Sequence, residues 1–319
     1  FEKFRKNRDI ITRRWENKFN GTPYPNSGFI AQAGLGNQDY FSAIGEPVNK
    51  NSSDVLIPAF LAAYTGRDVR SVSLNPFPAL SALLPNWRIT YDGLTTLPWF
   101  KTKFKNLILS HAYTSQYSIG SYGSFSSWID AGNGLGFIKS LDDTPLPVPS
   151  SGYDISAVSL IEQFNPLFGA EGTMNNNLII KARYNYTRAL NLNISSFQII
   201  ENLQKDLIVG LGYRIIEFNK IMGWNKKKQS GFSNDMVINA DLSRRTTQSL
   251  IRKIEDGFTE ATSGTTILTL KISADYSLSK ALIMRAYFDR IVNSPLISTS
   301  SYPTSNTNFG ISLRFTLPE

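Results

Sequence analysis

The sequence predicts an all-β fold, part of the wall of a large antiparallel transmembrane β-barrel of about nine strands, preceded by an irregular, short-helical segment. Three observations carry this. Beyond residue 85, apolar and polar residues alternate with a period of two, as in strands whose two faces differ. Several alternating stretches are long, 178–194 above all, whereas soluble strands cluster near about 5–6 residues and a membrane-spanning strand needs about 9–11. The connections are uneven: Asn175, Asn176 and Asn177, and the stretch 277–280, read as tight turns, while 123–152, 251–263 and 293–305 are long and rich in Ser, Gly, Pro and Thr. Short turns on one side and long loops on the other suit a membrane barrel with a periplasmic and an external end.

Taken in order, residues 1–19 read as a charged helix with Ile10, Ile11, Trp15 and Phe19 on one side, stopped by Gly21, Pro23 and Pro25. Ser53 and Asp54 are placed to cap a second short helix running to Ala63 and ending near Gly66. Pro76, Pro78 and Pro85 then keep the chain extended but out of a ladder. Residues 1–85 are thus expected as an irregular cap or lumen segment, and 86–319 as wall strands. Strands are expected over 86–92, 105–121, 153–174 (bent at Pro166), 178–194, 204–217, 232–248, 265–277, 281–292 and 306–317. An odd count fits an incomplete wall, because single-chain bacterial barrels are normally even-stranded.

The alternation assigns faces. Leu268, Leu270 and Ile272, with Leu207, Val209 and Leu211, are expected toward lipid. Lys271, Ser273, Asp275, Arg285 and Arg314 are expected toward a polar lumen. Charging Leu270 or Ile272 should therefore block assembly, and charging Ser273 should be mild.

Composition narrows the chemistry. Charged residues are only 18%, below the usual quarter of a soluble domain. With no Cys and a single His, His111, thiolate metal sites, disulfides and Cys nucleophiles are excluded and His-rich metal sites nearly so, leaving no expected cofactor. The net charge of +8 is scattered, apart from Lys3 to Arg14 and the run Lys226, Lys227 and Lys228, and lacks the aromatic interleaving of single-strand binders, so nucleic acid is not an expected partner. No stretch approaches the ~18 apolar residues of a membrane helix. Residues 1–20 carry no apolar signal-peptide core, which suits a fragment or a mature chain.

Single residues that invite a function weigh little. His111 lies near Asn106, Ser110 and Ser115, but neighbouring strand residues point to opposite faces, so Ser110 cannot reach it and a structural role is expected. Asp142 and Asp143 have too few carboxylates around them for a Ca²⁺ site. The lysine run reads as a turn or an anionic-lipid contact. Gly132 to Gly136 lacks the following helix and Lys of a phosphate loop. The last strand is more specific. Asn308, Gly310, Leu313 and Phe315 follow the polar–glycine–hydrophobic spacing of the β-signal that hands outer-membrane proteins to the barrel assembly machinery, by offering an unpaired edge to a receptor strand.

Five stretches in order, DVLIPAFLAAYTG (54–66), LPNWRITYDGL (84–94), LSHAYTSQY (109–117), VSLIEQFNPLFG (158–169) and SSYPTSNTNFG (300–310), resemble the C-terminal region of the SprA (Sov) family of type IX secretion translocons. The resemblance implies the C-terminal part of a very large outer-membrane barrel whose wide lumen passes folded cargo proteins, a non-enzymatic protein transport role associated with gliding motility. It also implies a PorV-like partner barrel at a lateral opening, a periplasmic plug protein, and contact with membrane lipid. Two other functions are compatible with the residues alone: a different outer-membrane transporter, such as a TonB-coupled receptor or porin, and a barrel hydrolase using His111.

Overall fold

The alternation beyond residue 85 does become a ladder of long strands. In the computed structural model, which describes residues 1–40, 48–77, 85–132, 134–140, 146–218, 234–279, 281–297 and 302–316, these are β1 (Trp87–Tyr91), β2 (Phe104–Ser124), three short strands β3 (Ile129–Gly132), β4 (Leu135–Lys139) and β5 (Pro147–Ser150), then β6 (Tyr153–Met174), β7 (Leu178–Asn193), β8 (Gln198–Ile215), β9 (Met236–Lys253), β10 (Thr259–Ser277), β11 (Leu282–Pro295) and β12 (Thr304–Phe315). Nine of them form one antiparallel sheet in the order β1-β2-β6-β7-β8-β9-β10-β11-β12. It is a meander whose edges are β1 and β12. β3, β4 and β5 form a small sheet inside the connection from β2 to β6, where the sequence reads only as loop. β6 bends at Pro166, with a register shift between Phe164 and Phe168 against β7. No helix among the described residues is long and apolar enough to cross a membrane.

Four helices precede or flank β2: α1 (Glu2–Phe19), α2 (Gly28–Gln32), α3 (Ser53–Tyr64) and the single turn α4 (Pro98–Lys101). Phe4, Ile11, Trp15 and Phe19 fall on one stripe of α1 and are buried, as their spacing requires. They pack against α3, whose Val55 to Ala62 are buried almost all round. Pro58 within α3 has no N–H to give the Asp54 carbonyl, and the Trp15 indole Nε1 donates to that oxygen instead at 2.9 Å. The expected capping by Ser53 and Asp54 is not what starts α3. Ser52 is the N-cap, without a side-chain cap bond, and Asp54 turns its carboxylate to Ser151, taking the Ser151 N–H at 3.0 Å and the Ser151 hydroxyl.

The helices do not stand apart from the strands. One apolar core holds Phe4, Trp15, Ile57 and Phe60 together with Phe137 of β4, Leu160 of β6, Leu190 and Leu192 of β7 and Ile199 of β8. Phe19, Tyr24 and Tyr40 meet the Phe137 ring at 4.8–5.9 Å between centroids. The helical layer thus covers one face of the sheet, at the end where β7 turns into β8.

The expected division into a short-turn end and a long-loop end is not found. The loop expected over 251–263 is the continuation of two strands, β9 running through Ile251 to Lys253 and β10 starting at Thr259 before Ser263, with only residues 254–258 between them. β7 and β8 are likewise joined by residues 194–197. At the opposite end β6 and β7 are joined by residues 175–177, but the connection from β8 to β9 spans 216–235. Each end therefore carries short and long connections. The strand expected to end before 251 runs on because Glu201 and Arg252 interrupt the apolar parity of β8 and β9, so the pattern ends in the sequence before the hydrogen bonding ends.

Candidate functional site

Strand residues two apart share a face, and the register carries each face across the sheet. On one face lie Leu207, Val209, Leu211 and Tyr213 of β8, the last three level with Leu242, Ala240 and Ile238 of β9 and Leu207 level with Arg244. Continuing outward, the same face presents Leu268, Leu270, Ile272, Ala274 and Tyr276 of β10, then Met284, Ala286 and Phe288 of β11, then Phe309, Ile311, Leu313 and Phe315 of β12. Apart from Tyr276, which is buried with the Phe218 ring against it at 5.6 Å between centroids, the belt is largely uncovered among the described residues. Leu207, Val209 and Leu211 are 40–49% exposed, and the four β12 residues are 62–79% exposed. All six residues expected to face lipid are in it.

The opposite face carries most of the charged and polar residues, interspersed with Ile179, Ile208, Val237, Ile267, Ile283 and Ile291. Lys271, Ser273, Asp275, Arg285 and Arg314 all lie there, as the alternation requires. The register aligns Glu171, Lys181, Gly210, Asp241, Lys271 and Asp289 in one transverse row, so that Lys271 stands between two aspartates. Arg285 and Asp275 are direct cross-strand partners and form an ion pair at 3.0 Å. Arg245 pairs similarly with Asp206 at 3.3 Å. Gly210 keeps the row flat, since a Cβ there would sit 2.5 Å from the Asp241 carboxylate. This polar face bears alternating charge and no apolar cover among the described residues, which is what a water-filled space requires.

Between belt and helical layer, the apolar face carries charge that the sequence reading passes over. Glu162 of β6 accepts from Arg188 Nε of β7 at 3.0 Å and from the Tyr113 hydroxyl at 3.1 Å, while Arg188 also donates to the Tyr64 carbonyl of α3 at 3.3 Å. Glu201 and Arg252 form a second pair, with Arg252 lying over the Phe1 ring. The signal available in the sequence was a charged residue in an apolar parity: Arg188, Glu201, Lys205, Arg244, Arg252 and Arg290 each occupy one.

The belt's border with this zone runs obliquely. Followed through the register onto β11, the positions level with Arg188, Lys205 and Arg244 are Leu296, Ser294 and Val292, against Arg290 itself. That is a descent of three two-residue rows over four strands, about 20 Å down and 19 Å across at ~3.3 Å per residue and ~4.8 Å per strand. The border crosses the strands at roughly 45°, the angle between strand and membrane plane in a barrel whose strands tilt by about 35–45°.

His111 offers no catalytic geometry. Its Nδ1 lies 2.7 Å from the Leu167 carbonyl, which can only accept, and its ring packs near Trp87 and Phe164 beside the β6 bend. Ser110 lies instead against Gly169 on the other side. No group of three or more His, Asp or Glu that could hold a metal occurs among the described residues. A niche of about 60 Å³ on the polar face between Ser110, Glu171, Lys181 and Arg183 has room for little more than water. Gly310 of the expected assembly signal is covered by its cross-strand partner Tyr287, whose hydroxyl would meet a Cβ there at 2.8 Å. Asn308 shares the polar face with Gly310, and Leu313 and Phe315 share the belt. Lys226, Lys227 and Lys228, Asp142 and Asp143, Pro78, Asn133, Lys280, residues 298–301 and the strand end at Leu317 lie outside the described residues. The chain matches no protein-family model, and no curated protein matches it.

Proposed function

We propose that this chain forms part of the wall of a protein-conducting barrel in the bacterial outer membrane. The apolar belt carries the reading. In a soluble sandwich such a face is closed by a second sheet, yet here no sheet covers it over five neighbouring strands from β8 to β12 among the described residues, and only Tyr276 at its edge is buried. Leu268 to Tyr276 spans about 21 Å once eight ~3.4 Å steps are tilted by ~40°, against an apolar band of about 25 Å in outer-membrane barrels. The oblique border supports the same orientation. With the belt toward lipid, the helical layer on the same face rests against the outside of the wall rather than in the lumen.

An open, charged wall is compatible with the wide lumen that folded protein cargo would need. Eight strands suffice to close a barrel whose interior side chains fill it, whereas these nine remain open with a charged inner face. The resemblance of five stretches to SprA-type translocons points the same way. In this reading β12 is the strand presented to the barrel assembly machinery, through Asn308, Gly310, Leu313 and Phe315. A PorV-like barrel, a periplasmic plug and secreted proteins are the expected partners.

The test uses the full-length protein in its own cells. Leu270→Arg should prevent formation of the heat-stable outer-membrane form, costing roughly 2–4 kcal/mol at mid-bilayer, and proteins normally released to the medium should accumulate in the periplasm. Ser273→Arg should leave both unchanged. Equal tolerance at both positions would refute the wall, and failed assembly with normal release would refute protein conduction alone.

A further inference from the structure

On the belt's border with the charged zone, three cations have no ion-pair partner. Lys205, Arg244 and Arg290 are exposed and make no salt bridge among the described residues. The two acidic residues on this face of β6 to β12, Glu162 and Glu201, are already held by Arg188 and Arg252. The strip is therefore net positive with no compensating carboxylate. Lys205 and Arg244 are diagonal neighbours, since Lys205 faces Thr246 and Arg244 faces Leu207. Arg290 lies two strands and one row from Arg244, about 12 Å away at ~4.8 Å per strand and ~6.6 Å per row. Tyr186 and Tyr184 flank the strip on β7, opposite Lys205 and Leu207, where interfacial aromatics belong.

We propose that this strip is a binding site for the phosphorylated disaccharide head of an outer-leaflet glycolipid of the lipid A kind, its acyl chains lying on the belt below. The proposal rests on the wall reading given above. Charge complementarity selects an anion, and the continuous apolar surface selects one that carries hydrocarbon. The spacing selects a head that presents phosphate at more than one place, because a single phosphodiester cannot reach Lys205 and Arg290 together. Position selects the leaflet. The strip lies on the side of the belt away from the 175–177 turn and from the end of β12, the side covered by the helical layer. With the end of β12, the strand proposed above to be handed to the assembly machinery, placed on the periplasmic side, that side is external.

Three forms of the full-length protein test this: the native chain, the strip variant Lys205→Gln/Arg244→Gln/Arg290→Gln, and the polar-face variant Lys181→Gln/Lys271→Gln/Arg314→Gln, which removes the same charge. Each is first reconstituted into neutral phosphatidylcholine vesicles, then exposed to purified lipid A with phosphatidylglycerol as competitor, and bound lipid is counted by native mass spectrometry after detergent exchange. All three should enter vesicles. The native and polar-face forms should retain lipid A against equimolar phosphatidylglycerol, and the strip variant should bind it at least about tenfold more weakly, since each basic side chain at a membrane surface contributes severalfold. Equal retention by the strip variant, equal loss in the polar-face variant, or displacement by equimolar phosphatidylglycerol would each overturn the site. A native chain that stays out of neutral vesicles would instead overturn the wall reading beneath it.

Discussion

At the scale of single residues, two buried charge arrangements hold the helical layer to the strands. Asp54 lies in the first turn of α3 and is bonded to Ser151, and burial pushes its carboxyl up from the ordinary 3.8, with the hydrogen bonds from Ser151 and Ser150 opposing only part of that. A folded-state value above the unfolded one means that the folded chain holds the proton more tightly. The associated stability is complete below about 3.8 and is lost as pH rises through the raised value. Asp54→Asn should thus gain on the native chain as pH is raised from 4 to 8, because the amide keeps an acceptor for Ser151 without burying charge. Urea unfolding followed by Trp15 fluorescence reads it, Trp15 being bonded to the Asp54 carbonyl; a difference that does not change with pH would contradict the assignment. The Glu162–Arg188 pair makes a second case. Arg188→Met leaves Glu162 buried among apolar neighbours and should cost about 3 kcal/mol, while Glu162→Leu/Arg188→Met should recover much of it. Urea midpoints of the two variants decide, and an additive loss in the double variant would show that the pair is not coupled.

The elements show which physics the sequence carries openly. Alternation alone places Leu270 and Lys271 on opposite faces, and it finds the tight connection at Asn175 to Asn177, because period two is a local property of the backbone. The helix α1 is legible from its apolar side and its Gly and Pro stop, and α3 from its start and stop signals, although Ser52 and not Ser53 or Asp54 proves to be its N-cap. Alternation misses the outer ends of β8, β9 and β10, where Glu201 and Arg252 occupy apolar-parity positions and satisfy each other only across strands. The docking of α1 and α3 on Leu190, Leu192 and Ile199 is equally hidden, since a helix stripe does not name its partner. Register is the third non-local fact. It puts Lys271 between Asp241 and Asp289, an arrangement no single strand reveals. Lys271→Glu would line up three carboxylates and should cost about 1–2 kcal/mol, like charges directly opposite being worth up to ~1 kcal/mol each. Lys271→Gln should cost under half of that. Folding midpoints in detergent test it, and the penalty of the Glu variant should shrink in high salt, since this face meets water.

For the whole molecule, the nine strands form an open sheet with β1 and β12 as its edges, and the alternative to a wider wall is that these two edges meet. Closure would draw the polar face inward, bringing Lys181, Arg183, Lys271, Arg285 and Arg314 around a lumen barely wider than the side-chain-filled interior of an eight-stranded barrel. Charges so confined would lose water even with Asp241, Asp275 and Asp289 beside them, and burying paired charge still costs several kcal/mol for each ion before the pairing is counted. A wider wall leaves them solvated and leaves β1 and β12 as edges to be paired by other strands. Because the chain has no cysteine, disulfide trapping in the otherwise cysteine-free full-length protein distinguishes the two. Asp289 and Asn308 are direct cross-strand partners, so Asp289→Cys/Asn308→Cys should cross-link under mild oxidation and migrate as a compact form on a non-reducing gel, the Cα separation of such partners falling within disulfide range. Cysteines placed at Arg88 or Thr90 of β1 and at Asn308, Gly310 or Ser312 of β12 should not cross-link within one molecule in any combination, whatever the stagger. An efficient intramolecular bond between those edges would mean a closed nine-stranded barrel, a lumen too narrow for folded protein, and the end of the conduit proposed above.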